Sequence, residues 1–240
     1  MRTLVIGDLH EPASRAGYLQ FCQDLYYEWD CNDVVFIGDV VDWHGISFWA
    51  KEPQCPGPAD EYALAKQCIR KWAKAFPKAK VCIGNHDERP SRLAKTVNIP
   101  EFMLKPYSEL WDAPGWVWDY RFTVDGISYR HGTKIGSSSI HPAWNLMNKI
   151  HKSCVIGHFH SRAGVKWGCN EDARFFGADT GCGIDEKAFQ FIYGKDDPLR
   201  PFISALVVID GIPHLEPCPI GRGERYWDGN FKHEKIKSRK

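Results

Sequence analysis

The 240-residue sequence predicts an α/β fold of mixed parallel and antiparallel strands, on three observations. Four short apolar runs (residues 3–7, 35–38, 80–84 and 154–157) each close on glycine and pass at once to Asp, Asn or His. Between the first three of these lie stretches with apolar residues three and four apart, the spacing of amphipathic helices. Residues 117–129 alternate around Asp125-Gly126, a hairpin signal.

In chain order, the β-branched run 3–7 reads as a strand buried on both faces. Tyr18, Leu19, Cys22, Leu25, Tyr26 and Trp29 mark one face of a helix over residues 16–29, and 33–37 is the next strand, so the chain opens with a β-α-β unit and a parallel crossover. After a Pro/Gly/Cys loop at 53–58, a second helix is expected from Asp60 as N-cap to Phe76, burying Tyr62, Leu64, Ala65, Ile69 and Trp72. Residues 80–83 form the third such strand. From 88 to 129 the chain is rich in proline and tryptophan. The expected hairpin ends at His131-Gly132, and a helix over 142–151 leads into the strand at 154–157. Short strands follow at 174–178, 188–193, 204–209 and 212–216, with turns at Asp179-Thr180-Gly181 and Asp210-Gly211. One domain is expected over residues 1–220, with a basic tail over 221–240 in which seven basic residues from Arg222 onward outnumber three acidic ones.

Composition excludes several classes. A net charge of +1 gives no overall attraction to nucleic acid or membrane. No apolar segment approaches the ~20 residues needed to span a bilayer. Nine cysteines without a Cys-x-x-Cys pair argue against a zinc ribbon, and with no signal peptide evident they point to reduced thiols and a cytoplasmic protein.

Chemistry concentrates at the strand ends, where loops of an open α/β sheet converge. A mixed set of carboxylate, imidazole and amide oxygen suits divalent ions such as Mn, Fe or Zn, and two such ions can clamp an in-line phosphoryl displacement. Asp8-Leu9-His10, Gly38-Asp39-Val40-Val41-Asp42, Gly84-Asn85-His86-Asp87, His131-Gly132 and Gly157-His158-Phe159-His160 resemble, in order, the five motifs of the calcineurin-like metallophosphoesterase superfamily. The resemblance implies a two-sheet β-sandwich flanked by helices in αββα layers. It also implies two divalent metal ions, Mn first, with Fe, Zn, Ni or Mg as alternatives. Asp8, His10 and His160 would hold one ion, Asn85, His131 and His158 the other, with Asp39 bridging. His86 would be the general acid and Asp42 its orienting carboxylate. The implied reaction is hydrolysis of a phosphate mono- or diester, a small nucleotide-type substrate, by a metal-bridging hydroxide.

One departure from the pattern is informative. Where the phosphoprotein-phosphatase branch continues its second motif with Arg-Gly, this sequence has Trp43-His44-Gly45. A phosphoprotein substrate is therefore not expected, and His44, Arg89, Arg92 and Arg130 are candidates to bind substrate instead. His141, His151, His214 and His233 read as ordinary surface or core residues. Trp111, Trp116 and Trp118 could stack a base, but core packing is the expected role. Cys169 and Cys182 read as ordinary thiols. Residues 177–183 form a small-residue turn that either lines the site or is structural. A nuclease performing the same chemistry on DNA or RNA is the second reading, resting on the basic tail. A non-catalytic binding scaffold is the third, and it fits poorly with a complete ligand set. Specificity is expected to lie in residues 43–58 and 88–129. The sequence carries no signal of oligomeric state.

Overall fold

The computed structural model describes residues 1–48, 50–135, 140–185, 187–188 and 199–219. Two sheets face each other, with helices on both outer sides. In chain order the elements are β1 (Arg2–Ile6), α1 (Tyr18–Glu28), β2 (Asp33–Phe36), α2 (Pro58–Ala75), β3 (Ala79–Cys82), α3 (Arg89–Thr96), α4 (Tyr107–Leu110), β4 (Trp116–Asp119), β5 (Phe122–Val124), β6 (Ile127–Arg130), α5 (Pro142–Ile150), β7 (Cys154–Ile156), β8 (Gly164–Cys169), β9 (Arg174–Asp179), β10 (Ser204–Ile209) and β11 (Ile212–Pro217). The first sheet runs β11-β10-β1-β2-β3-β4 and the second β5-β6-β7-β9-β8.

The apolar runs lack polar alternation because each strand is covered on both faces. Leu4, Ile6, Val34, Phe36 and Val81 point outward to Tyr18, Phe21 and Leu25 of α1 and to Ala65, Ile69 and Trp72 of α2. Their neighbours Val5, Val35, Ile37 and Cys82 point inward and meet Ile127, Tyr129, Val155, Phe176 and Ala178 of the second sheet. The outer face of that sheet, through Cys154, Ile156 and Phe175, packs on Ala143, Leu146 and Met147 of α5. These layers are the expected αββα sandwich. β1, β2 and β3 are parallel to one another, as are β6, β7 and β9, so each sheet directs several strand C-termini to one edge.

Three expectations need correction. α2 begins at Pro58 with Gly57 as N-cap, not at Asp60, and Leu64, expected on its buried face, is exposed. Proline's fixed φ suits the first helical position, and Asp60 and Glu61 then sit in the first turn, where the helix dipole favours acids. The hairpin around Asp125-Gly126 forms between β5 and β6, but residues 116–119 leave it and pair parallel with β3 in the other sheet. The pull is aromatic. The Trp116 ring lies 4.6 Å from that of Phe36, and its indole N–H donates to the Phe76 carbonyl at 2.9 Å. In the proline-rich segment α3 and α4 form, and β8 pairs antiparallel with β9. α3 and α4 are eight and four residues long, too short to print a helical period on the sequence. The expected strand at 188–193 falls largely, and the basic tail wholly, outside the described residues.

Candidate metal centre

Every proposed ligand lies just past a strand end. Asp8 and His10 follow β1, Asp39 follows β2, Asn85 and His86 follow β3, His131 follows β6, and His158 and His160 follow β7. Three of them, His10 (φ 51°), Asp39 (φ 47°) and His158 (φ 76°), hold left-handed backbone that L-residues seldom adopt. Such strain, of order 1–3 kcal/mol each, persists where the surroundings fix it and gathers at functional sites.

The glycines before the ligands divide into two kinds. Gly38 (φ 109°) makes a turn closed to other residues. Gly84 and Gly157 are needed for space. A Cβ on Gly84 would fall 2.1 Å from Asp39 Oδ1, and one on Gly157 would fall 2.3 Å from Asp8 Oδ1.

The side chains converge on two adjoining clusters. Donor atoms of Asp8, His10 and His160 lie within 4.8 Å of one another, as do those of Asp39, His131 and His158. His160 Nε2 is 3.2 Å from Asp8 Oδ2 and 3.2 Å from His10 Nε2. His131 Nε2 is 3.0 Å from Asp39 Oδ2 and 3.1 Å from Asn85 Oδ1. Asp39 Oδ2 also stands 3.7 Å from His10 Nε2, which sets it between the two clusters. The backbone completes the cage: His158 N–H donates to Asp8 Oδ2 and His86 N–H to Asp39 Oδ1, both at 2.8 Å. His131 Nδ1–H donates to the Ile37 carbonyl at 3.1 Å, which turns Nε2 inward in the manner of a metal-ligating histidine.

These contacts set the protonation states. Burial works to raise the Asp39 pKa, but His131 and His86 hold it well below the usual carboxylate range. Burial works to lower that of His131, yet Asp39 and Asp8 lift it to about 10. His158 is lowered to about 4 by burial and by the charge on His131. His10 is likewise lowered by burial and by His86. Burial, reinforced by the Asp39 charge, raises Asp87 to about 7, and its carboxyl accepts from Val41 N–H and Gly84 N–H at 3.2 and 2.9 Å.

Asp42 has a larger part than its sequence position suggests. Its Oδ1 accepts from His86 Nδ1–H at 2.9 Å and from His10 Nδ1–H at 2.8 Å, so one carboxylate orients two imidazoles. Arg89 adds a third contact to this group. Its Nη1 donates to the Asp42 and Trp43 carbonyls at 2.6 and 3.1 Å, and its Nη2 lies 3.2 Å from His86 Nε2.

His44 stands beside this group, with Nδ1 3.9 Å from Asp42 Oδ2 and Nε2 accepting from Glu52 N–H at 3.0 Å. Arg92 packs over the Phe48 ring, and Arg130 is hydrogen-bonded to Ser128 on its own strand, so neither turns its charge to His86 as Arg89 does. Trp111 and Trp116 are core residues, while Trp118 stacks on Tyr107 at 4.7 Å.

Two buried acids gave no sequence signal. Glu61 accepts from His44 N–H and Gly45 N–H at 2.6 and 2.7 Å and so fixes the loop after Asp42. Glu11 accepts from Trp72 Nε1–H at 2.7 Å and from the Ser14 hydroxyl at 2.7 Å. Both sit in stretches that read as loop or helix face, and only the tertiary fold brings them to their partners.

The donor set fits divalent cations. Asp8 Oδ1 is buried with no hydrogen-bond partner among the described residues, a costly state for a carboxylate that a cation would relieve. The mixture of carboxylate, imidazole and amide oxygen suits Mn, Fe or Zn.

Fold and site together define a two-sheet sandwich flanked by helices and carrying a candidate dinuclear metal centre at its strand C-termini. The chain belongs to the calcineurin-like phosphoesterase family, whose model matches residues 1–229. Among curated relatives, the Gene 54 protein of Mycobacterium phage L5 is 25% identical over 265 residues, spanning 95% of this chain and 97% of that protein. The Gene 54 protein of Mycobacterium phage D29 is 24% identical over 263 residues, with the same two shares. Among solved structures, a novel archaeal phosphodiesterase is similar with a TM-score of 0.48 and 11% identity, covering 91% of this chain and 100% of that one.

Proposed function

We propose that the protein is a two-metal phosphoesterase acting on a small nucleotide-type phosphate mono- or diester. Asp8, His10 and His160 would hold one ion, Asn85, His131 and His158 the other, and Asp39 both. Mn is the first choice of metal, with Fe, Zn, Ni or Mg as alternatives. Two such ions supply charge against the developing negative phosphoryl oxygens and lower the pKa of bound water. The observation that carries the reading is the convergence of the Asp8 and Asp39 clusters at one edge of the sandwich.

The protein's own residues do the rest. His86 Nδ1–H is tied to Asp42, so Nε2 is the atom that faces reacting groups. Despite its burial, the carboxylates of Asp39 and Asp42 raise the His86 pKa above the usual imidazole value, which favours the protonated form a general acid needs. His86 then delivers that proton from Nε2 to the departing oxygen. Arg89 takes the place of the arginine missing after Asp42. Its Nη1 is anchored on two carbonyls and its Nη2 stands 3.2 Å from His86 Nε2, so that one phosphate oxygen could accept from both.

The test is turnover with added Mn across phosphomonoesters, aryl diesters, cyclic nucleotides, dinucleoside polyphosphates and nucleic acid. Hydrolysis of a small ester, lost in Asp39→Asn, supports the reading. Activity that survives both Asp39→Asn and His86→Ala would sink it. A nuclease is the second reading, resting on the basic composition of residues 222–240. Preference for a polymer with steeply salt-dependent binding would promote it.

A further inference from the structure

Only one oxygen of the Asp42 carboxylate is used by the residues described so far. Oδ1 accepts from both His10 and His86, whereas Oδ2 is buried with no hydrogen-bond partner among the described residues. A buried carboxylate oxygen without a donor is costly. A donor stands close by. His44 Nδ1 is 3.9 Å from Oδ2, about 1 Å beyond an ordinary N–H···O bond.

The surroundings of His44 fix which nitrogen carries its proton. Nε2 accepts from Glu52 N–H at 3.0 Å, so in the neutral ring the proton sits on Nδ1, the nitrogen nearer Asp42. Burial lowers the His44 pKa, which favours that neutral ring. The backbone is held as firmly. Glu61 of α2 accepts from His44 N–H at 2.6 Å and from Gly45 N–H at 2.7 Å. Trp43, between Asp42 and His44, has left-handed backbone (φ 53°), which a bulky residue keeps only where its surroundings enforce it. The anchored imidazole thus brings its single N–H to the side of Asp42 that lacks a donor. Substrate binding is the poorer role for this residue. The ring is only 12% exposed, and both its nitrogens are engaged by or close to protein groups.

We propose that His44 is a positioning residue, whose Nδ1–H serves Asp42 Oδ2 and so fixes the carboxylate that orients His86. The proposal rests on the phosphoesterase reading for its effect on turnover, but not for the contact itself. The contact is read in the metal-free full chain by ¹H and ¹⁵N NMR of the histidine rings. His44 should show the neutral Nδ1–H tautomer. His44→Phe should shift the His86 Nδ1–H resonance, and His44→Asn, whose amide N–H can replace Nδ1–H, should return it toward its original position. An Nε2–H tautomer at His44, or a His86 resonance that ignores both substitutions, overturns the proposal.

Turnover is compared at saturating Mn on two esters. Phenyl phosphate has a leaving group that needs a proton, and p-nitrophenyl phosphate has one that needs it far less. His44→Phe should lower kcat about tenfold on the first and no more than about twofold on the second, with KM unchanged, because the loss falls on proton delivery. His44→Asn should regain most of that loss. A raised KM with kcat kept would give His44 to the substrate. Equal losses on both esters without rescue by Asn would make its role that of general scaffolding. Either result overturns the proposal. The two claims fail separately: turnover without the His44 NMR signature refutes this assignment alone, and the signature in a protein that hydrolyses neither ester refutes the phosphoesterase reading alone.

Discussion

The two sheets bring different chemistry to the edge they share. The first sheet delivers both cage carboxylates, Asp8 and Asp39, with Asn85 and His10; the second delivers imidazoles only, His131, His158 and His160. Acids from one layer thus meet bases from the other across the sandwich, through His131–Asp39 at 3.0 Å and His160–Asp8 at 3.2 Å. The group around His86 differs again, since Asp42 and His86 come from loops of the first sheet and Arg89 from the first position of α3, which follows β3. A cation seated in either cluster would fasten one layer to the other, whereas His86 is positioned by one layer alone.

The largest expected effect breaks the link between layers. Asp39→Asn should remove both metals by elemental analysis and reduce turnover to background; retention of two ions would show that the shared carboxylate is not shared. Next, His86→Ala belongs to one layer and should lower kcat about 10²- to 10⁴-fold while metal content stays unchanged. A loss of metal there would dissolve the distinction between cage and acid. His131→Ala leaves the buried Asp8 and Asp39 short of their imidazole and should cost the metal-free protein about 3–5 kcal/mol in denaturant unfolding. Unchanged stability would mean the layers do not depend on this pair.

Arg89→Ala should lower kcat/KM at least tenfold, about 1.4 kcal/mol of transition-state binding. Arg92→Ala, over Phe48, should leave kcat/KM within about twofold, and equal losses would end the case for Arg89. The smallest effect is one of pH. The His131 pKa is raised in the folded state to about 10, so its pairing with Asp39 and Asp8 contributes fully below about 6.5, the unfolded value, and fades as pH rises toward 10. Coordination must expel that proton, so metal stabilisation should run the other way. The rise in Tm on adding Mn should be larger at pH 8 than at pH 6; an equal rise would place the metal away from His131.

What the sequence revealed follows from how local each signal is. Strands β1, β2, β3 and β7 were legible because burial on both faces leaves continuous apolar runs, and the motif residues because they sit directly after those runs. The roles of Glu61 and Glu11 were not legible, since each depends on a partner brought close by the sandwich. Nor could spacing show that Asp42 serves His10 as well as His86, because both contacts join residues more than thirty positions apart. Residues 116–119 illustrate the opposite failure. The alternation over residues 117–129 looked local, yet aromatic packing at Phe36 drew 116–119 into the other sheet.

Gly84 and Gly157 carry a practical consequence for mutational screens. A single methyl group at either position would collide with a cage carboxylate, so replacement by alanine should inactivate as thoroughly as loss of a ligand. A scan of that kind would rank two residues with no functional group among the most sensitive in the chain. They would owe that rank to the room they leave.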